Sequence, residues 1–159
     1  MNDYHDLFQT ILTTTDRDDW LDYLTKTKAW IYTQSEARDD IEKDSKYQLL
    51  KELIDINKLG HNDSKNLEIT ISGLEKQLQG IKILKLTLCF NPDRKMLREI
   101  LIKMQQVLAD TFILDIDIDK KILGGSVIEF EGKYYDRSLQ RKIDGFLIDH
   151  KEAISNLLK

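Results

Sequence analysis

Ile81-Lys82-Ile83-Leu84-Lys85-Leu86-Thr87-Leu88-Cys89-Phe90, followed by Asn91-Pro92-Asp93, is the stretch in which the chain changes its period. Leu84, Leu86, Leu88 and Phe90 alternate with Lys85, Thr87 and Cys89, and alternation of this kind puts the apolar set on one face of a β-strand. Asn91, Pro92 and Asp93 then read as N-cap, N1 proline and first-turn acid of a helix, because a helix leaves its first N–H groups unbonded and proline has none to lose. Met96, Leu97, Ile100, Leu101, Met104, Val107 and Leu108 recur at helical spacing after that start. From Phe112 to Asp119 the period returns to two, with Phe112, Leu114, Ile116 and Ile118 set against Asp115, Asp117 and Asp119. One face of this second strand is expected to be buried and the other wet.

Beyond it, Lys120-Lys121-Ile122-Leu123 leads to Gly124-Gly125, and a hairpin is expected in which Val127 to Glu131 turns at Gly132 and returns through Tyr134 and Tyr135. Asp136 or Ser138 caps a last helix whose stripe is Leu139, Ile143, Phe146, Leu147, Ile154, Leu157 and Leu158. Gly145 inside that helix costs about 1 kcal/mol relative to alanine. The order from residue 81 is therefore strand, helix, strand, hairpin strand, helix.

Before it, the sequence has a different texture. No glycine or proline occurs ahead of Gly60, which is hard to reconcile with strands and turns and easy to reconcile with helices. Leu7, Phe8, Ile11 and Leu12 mark a short first helix, and Asp16 stands as the N-cap of a second that carries Trp20, Leu21, Leu24, Trp30 and Ile31. Ser35 is a cap for a third with Ile41, Tyr47, Leu50, Leu53 and Ile54, closing near Leu59-Gly60. Residues 13–59 read equally as one long rod or as a hairpin. His61 to Asn66 is polar and turn-forming, and a short helix follows it. The fold class is α+β: a helical region over 1–60, a linker and short helix over 61–80, and a small α/β domain over 81–159.

Composition limits what such a chain does. Its 159 residues are 41% hydrophobic and 33% charged, which excludes collagen-like, disulfide-stapled and strongly disordered chains. No apolar run approaches the roughly 20 residues of a membrane span, and the acidic start Met1-Asn2-Asp3-Tyr4-His5-Asp6 is unlike a signal peptide, so the mature protein is expected to begin at Met1 inside the cell. Cys89 is the single cysteine and has no internal partner for a disulfide. Residues 1–80 carry 16 acids and 10 bases, net −6, and residues 81–159 carry 12 acids and 14 bases, net +2. Neither half has the concentrated basic face that nucleic acid requires. The split suits two regions with different partners.

Chemistry-bearing clusters are few. Asp115, Asp117 and Asp119 are oxygen ligands on one strand face, but an EF-hand would want glycine and glutamate where Lys120 and Ser126 stand, and a solvated face explains the alternation. Gly124-Gly125 lacks the lysine and hydroxyl residue of a phosphate loop and reads as a backbone requirement. His5, His61 and His150 are scattered. No catalytic residue, cofactor site or metal site is assigned. More informative is the last helix: a small sheet covers about three turns of it, each rising about 5.4 Å. Ile154, Leu157 and Leu158 are then left to fold back on the N-terminal helices or to meet another chain.

The run from Ile116 through Gly124-Gly125 to Ile128, followed by Gly132-Lys133-Tyr134-Tyr135-Asp136-Arg137-Ser138-Leu139, resembles the C-terminal domain of the F-type ATP synthase delta subunit, whose mitochondrial relative is the oligomycin-sensitivity-conferring protein. The family pattern has a strand ending in Asp, two residues, Leu or Ile and a hydrophobic residue before Gly-Gly, then a strand, a glycine turn and a hydrophobic-Asp-Gly-Ser-hydrophobic helix start. Asp119, Ile122, Leu123, Gly124, Gly125, Gly132, Asp136, Ser138 and Leu139 fall on it, over roughly residues 78–150. Arg137 stands where the family has glycine. About 75 residues precede the matching part, where the family has a six-helix bundle of roughly 100.

The resemblance implies a peripheral-stalk subunit without chemistry of its own, with b-subunit stalk and alpha subunits as partners, held at the cytoplasmic face of a bacterial plasma membrane through the complex. On this expectation Phe146, Leu147, Ile154, Leu157 and Leu158 contribute to stalk binding, Leu7, Phe8, Ile11, Trp20 and Leu24 to head binding, and Gly124, Gly125, Asp136 and Ser138 are structural. The alternatives are a free-standing helix-binding adaptor that reuses the domain, and a metal-dependent enzyme built on the three aspartates.

Overall fold

The computed structural model describes residues 5–33, 43–56 and 64–149, and the chain divides into two compact units, Met1–Lys82 and Ile83–Lys159. In the first unit the order is α1 (His5–Thr10), α2 (Thr14–Thr33), α3 (Ser45–Ile56) and α4 (Ser64–Gln79). In the remainder it is β1 (Lys82–Leu88), α5 (Arg94–Leu108), β2 (Phe112–Ile118), a 3₁₀ turn at Lys120–Ile122, β3 (Ser126–Phe130), β4 (Lys133–Asp136) and α6 (Leu139–Asp149). This is the expected α+β class, with the expected order of strands and helices after residue 81. None of the helices among the described residues is long and apolar enough to cross a membrane.

The start of α2 shows how local chemistry sets an end. Asp16 is its third residue, and Thr13 is the cap: the Thr13 hydroxyl accepts the Asp16 N–H at 3.2 Å, and the Asp16 carboxylate accepts the Thr13 N–H at 3.1 Å and the Leu12 N–H at 2.9 Å. This reciprocal capping box replaces the simple Asp16 cap expected from spacing, because an acid three residues into a helix serves the cap from inside. Thr33 is the last described residue of α2 and α3 begins at Ser45, so the choice between rod and hairpin, Ser35 and Leu59-Gly60 lie outside the described residues.

Trp20, Tyr23, Leu24 and Thr27 form the inner stripe of α2, and Ile71, Leu74 and Leu78 form that of α4; all are buried. The two helices pack together, and at the edge of this contact the Lys28 ammonium donates to Ser72 Oγ at 3.0 Å and pairs with Glu75 at 3.1 Å. Residues 64–79 thus form a helix of 16 residues that belongs to the N-terminal unit, longer than the short helix expected after a linker. Its apolar residues at 67, 71, 74 and 78 are spaced to face a neighbour.

Trp20 and Tyr23 meet edge to face at 5.9 Å, and burial pushes the Tyr23 phenol up from 10.0 to about 12. The unfolded chain ionises this group from about pH 10, whereas the folded chain keeps it neutral until about 12. Its contribution to stability is therefore present below pH 10 and lost as the pH rises toward 12. Tyr23→Phe is expected to flatten part of the decline in stability between those limits, measured by denaturant melts at pH 9 to 11.5.

The sheet of the second unit is mixed, in the order β2-β1-β3-β4, with α5 crossing between the neighbours β1 and β2. β1 and β3 are antiparallel with Leu86 opposite Ile128, and β3 and β4 are antiparallel with Ile128 opposite Tyr135. Leu84, Leu86 and Leu88 are buried as their alternation requires, but the strand stops there and Phe90 is 45% exposed. The α5 cap is Asp93, whose carboxylate accepts the Met96 N–H at 2.7 Å; it lies two residues beyond the expected cap, and Pro92 is buried ahead of the helix.

The two-faced reading of β2 holds only in part. Phe112, Ile113 and Leu114 are all buried, while Ile118 is 40% exposed. α5 packs against β2, and its Gln105 amide donates to the Phe112 carbonyl at 3.0 Å, so the strand's first half is covered beyond what alternation alone allows. Phe112 and Phe130, with ring centroids 5.0 Å apart, bring the first residue of β2 together with the last of β3 in the core.

Candidate partner-binding surface

The path into α6 is built from backbone approach. Gly125 has φ +76°, and a Cβ placed on it would come within 2.3 Å of the Arg137 carbonyl oxygen. Two hydrogen bonds bracket that approach: Arg137 N–H donates to the Ser126 carbonyl at 2.9 Å, and Leu139 N–H to the Gly124 carbonyl at 2.8 Å. Glycine is needed here because only hydrogen fits between the two backbone segments. At Arg137 no such need exists, since it is not among the non-glycine residues with positive φ, which are Ala109, Leu123 and Glu131 among the described residues. The turn therefore forms with arginine in place of glycine.

Ser138 is the cap of α6, and Asp136 holds the cap in place. Ser138 Oγ accepts the Arg141 N–H at 3.2 Å, while the Asp136 carboxylate accepts the Ser138 backbone N–H at 2.8 Å. The Ser138 hydroxyl first, then that backbone N–H, hold the Asp136 carboxyl below its ordinary value, with Arg141 adding to the effect. A depressed carboxyl contributes above its unfolded value near 3.8 and loses that contribution as pH falls through the folded one. Ser138, 2% exposed, cannot take its cap role from water. Ser138→Ala is expected to cost about 1–2 kcal/mol, read as a lower melting temperature of the full chain.

Along α6, Leu139, Ile143, Phe146 and Leu147 stand at positions i, i+4, i+7 and i+8, one face of the helix. Not one residue of α6 is buried: Phe146 is 57% exposed and Leu147 48%. Leu123, beside the 3₁₀ turn against which α6 packs, and Tyr134 and Tyr135 on β4 are exposed too. An amphipathic helix whose apolar face is this exposed is what a protein contact would cover. Ile154, Leu157 and Leu158 lie outside the described residues.

The N-terminal set is placed differently. Leu7, Ile11, Trp20 and Leu24 are core residues and Phe8 is half-buried, so in this structure they hold the first unit together. A partner meeting this unit touches its outside, where α2 exposes Asp18, Asp19 and Asp22, and where Ile69 of α4 is 60% exposed. Apolar spacing identified the stripe of α2 but not which way it faced. Nothing in the local spacing marks Ile69, which stands between Glu68 and the inward Thr70 and Ile71.

The strand carboxylates are engaged locally. Asp117 accepts the Ile118 N–H at 2.9 Å, and Asp119 caps the 3₁₀ turn by accepting the Lys121 N–H at 2.9 Å. Among the described residues, no group of three His, Cys, Asp or Glu side chains is placed to hold a metal ion. Gly125 permits the close approach, Asp136 and Ser138 build the cap, and Gly124 supplies the carbonyl that receives Leu139.

Comparison with known families adds one finding: the family model described as ATP synthase delta (OSCP) subunit matches residues 70–147. No curated protein matches the chain significantly. The matched span includes α5, the whole sheet and α6 through Leu147.

Proposed function

Because residues 70–147 belong to the ATP synthase delta (OSCP) subunit family, we propose that this chain is a stator clamp that ties the catalytic head of an F-type ATP synthase to its b-subunit stalk. The family is one of non-catalytic peripheral-stalk subunits, and membership of the ATP synthase complex follows at that level. Alpha and b subunits are the partners proposed, at the cytoplasmic face of a bacterial membrane.

The observation that carries the reading is the partly exposed apolar face of α6 within the matched domain. Proton flow turns a rotor, and torque does work on the head only if the head is kept from turning with it. A clamp supplies this by binding, with no bond made or broken. α6 has 11 described residues, about 16 Å of helix, enough for part of a helix-on-helix contact. A stable interface buries about 800 Å² on each partner, so Ile154, Leu157 and Leu158 are proposed to extend it beyond Leu147. The charged outer face of α2, where Asp18 pairs with Arg17 and Asp22 with Lys26, and the apolar face of α6 differ enough to serve different partners.

Affinity purification of the tagged full chain from native membranes tests this reading. Recovery with alpha, beta and b subunits is expected. Recovery with other helical proteins and none of these would instead establish the free-standing adaptor.

A further inference from the structure

Of the non-glycine residues with positive φ among the described ones, Ala109 closes α5 and Glu131 precedes Gly132 in the hairpin, a small and a polar side chain at a helix end and a tight turn. Leu123 is the third, at φ 60° and ψ −18° in the left-handed region. It closes the 3₁₀ turn by donating its N–H to the Lys120 carbonyl at 3.3 Å, a bond that any residue's backbone makes. Glycine or asparagine takes this conformation at less cost than leucine, whose Cβ crowds the following carbonyl oxygen. Burial within the chain returns little of that cost: Ile122 beside it is 8% exposed, whereas Leu123 is 56% exposed. The free chain therefore carries at one position a strained backbone and an apolar side chain that it half leaves in water.

We infer that Leu123 is a contact residue for the stalk helix and widens the apolar face of α6 on which that helix lies. The inference rests on the stator reading. The backbone places Leu123 at the Leu139 end of the stripe, since the Leu139 N–H donates to the Gly124 carbonyl at 2.8 Å and a Cβ on Gly124 would stand 3.8 Å from Leu139 Cβ. The described part of α6 offers a strip about 16 Å long, short of the roughly 800 Å² that a stable interface buries on each partner, and a leucine flanking its first turn adds apolar area where the strip begins. The turn that carries it is held in place: the Asp119 carboxylate accepts the Lys121 N–H at 2.9 Å and Ile122 is buried. A contact residue fixed beforehand loses little freedom on binding. Strain that folding does not repay and binding does is what a contact site shows.

The test measures, for the full chain, both the melting temperature and the affinity for the cytoplasmic part of the b-type stalk subunit. Leu123→Gly and Leu123→Asn, which tolerate the left-handed backbone, are expected to melt at or above the wild-type temperature and to bind the stalk tenfold or more weakly. Leu123→Met keeps an apolar side chain of similar size and is expected to bind within threefold of wild type. Phe146→Asp/Leu147→Asp is the control for the stator reading and loses binding. If the control loses binding while Leu123→Gly and Leu123→Asn bind as wild type, the inference is overturned and the stator reading stands. A melting temperature lowered by several degrees in both variants would show that Leu123 serves the protein's own core, and Leu123→Met binding as weakly as Leu123→Asn would show that apolar contact is not its role; either overturns the inference alone. If wild type does not bind the stalk, or the control binds as wild type, both fall.

Discussion

Gly125→Ala is expected to destabilise the C-terminal unit by about 3 kcal/mol. An L residue in the left-handed region costs roughly 1–2 kcal/mol, and Gly125 lies there at φ +76°. To this is added a contact that no Cβ tolerates, 2.3 Å from the Arg137 carbonyl oxygen and 3.3 Å from Ser138 Cα. Both neighbours are backbone and cannot swing aside. The segments must separate, which stretches Arg137 N–H from the Ser126 carbonyl or Leu139 N–H from the Gly124 carbonyl, each worth about 1 kcal/mol. Gly124→Ala provides the contrast, since its Cβ would meet Leu139 Cβ at 3.8 Å, an ordinary contact, and the expected cost is below about 1 kcal/mol. Thermal melts of the two variants check the difference; equal losses would mean that the close approach at Gly125 does not govern the path into α6.

Phe146→Asp/Leu147→Asp is expected to reduce stalk affinity at least about 100-fold, or about 2.7 kcal/mol, while leaving the melting temperature nearly unchanged. Burying one large apolar side chain contributes about 1.5–3 kcal/mol, and each substitution also places a carboxylate where a dry contact should form. Stability is expected to change less than binding because the two side chains are 57% and 48% exposed. The combination separates binding from folding. Isothermal titration against the stalk and a melt of the same preparation measure both, and intact binding with a collapsed melting temperature would show that these residues belong to the protein's own core.

Much of the second unit was legible in the sequence because its periodicities are clean. Leu84, Leu86 and Leu88 alternate with polar residues and are buried, and the order of strands and helices followed from the change of period and from Gly124, Gly125 and Gly132. What escaped was decided by neighbours in space. Phe90 continues the alternation but falls beyond the last rung of β1, and Ile113 is buried although alternation puts it on the face opposite Phe112 and Leu114. Caps were misplaced by a few residues at Asp16 and Asp93, since several residues near a helix start are able to accept its free N–H groups and only geometry chooses among them.

The candidate surface was legible for a different reason. A stripe at 139, 143, 146 and 147 shows the apolar face of a helix, and the resemblance implies the stalk as its proposed partner, but the exposure of that face required the structure. In α2 the same kind of stripe turned out to be core, with Trp20 and Leu24 buried. A sequence shows that a face is apolar; whether the chain covers it itself depends on how many other faces compete for the same interior.

The most direct test of the clamp is sedimentation of the full chain with the catalytic head and the cytoplasmic part of the stalk, against the same mixture without it. The account predicts one complex containing head, chain and stalk, and separate head and stalk boundaries when the chain is left out. A head and stalk that join equally well without it, or a chain that sediments alone beside both, would contradict the account.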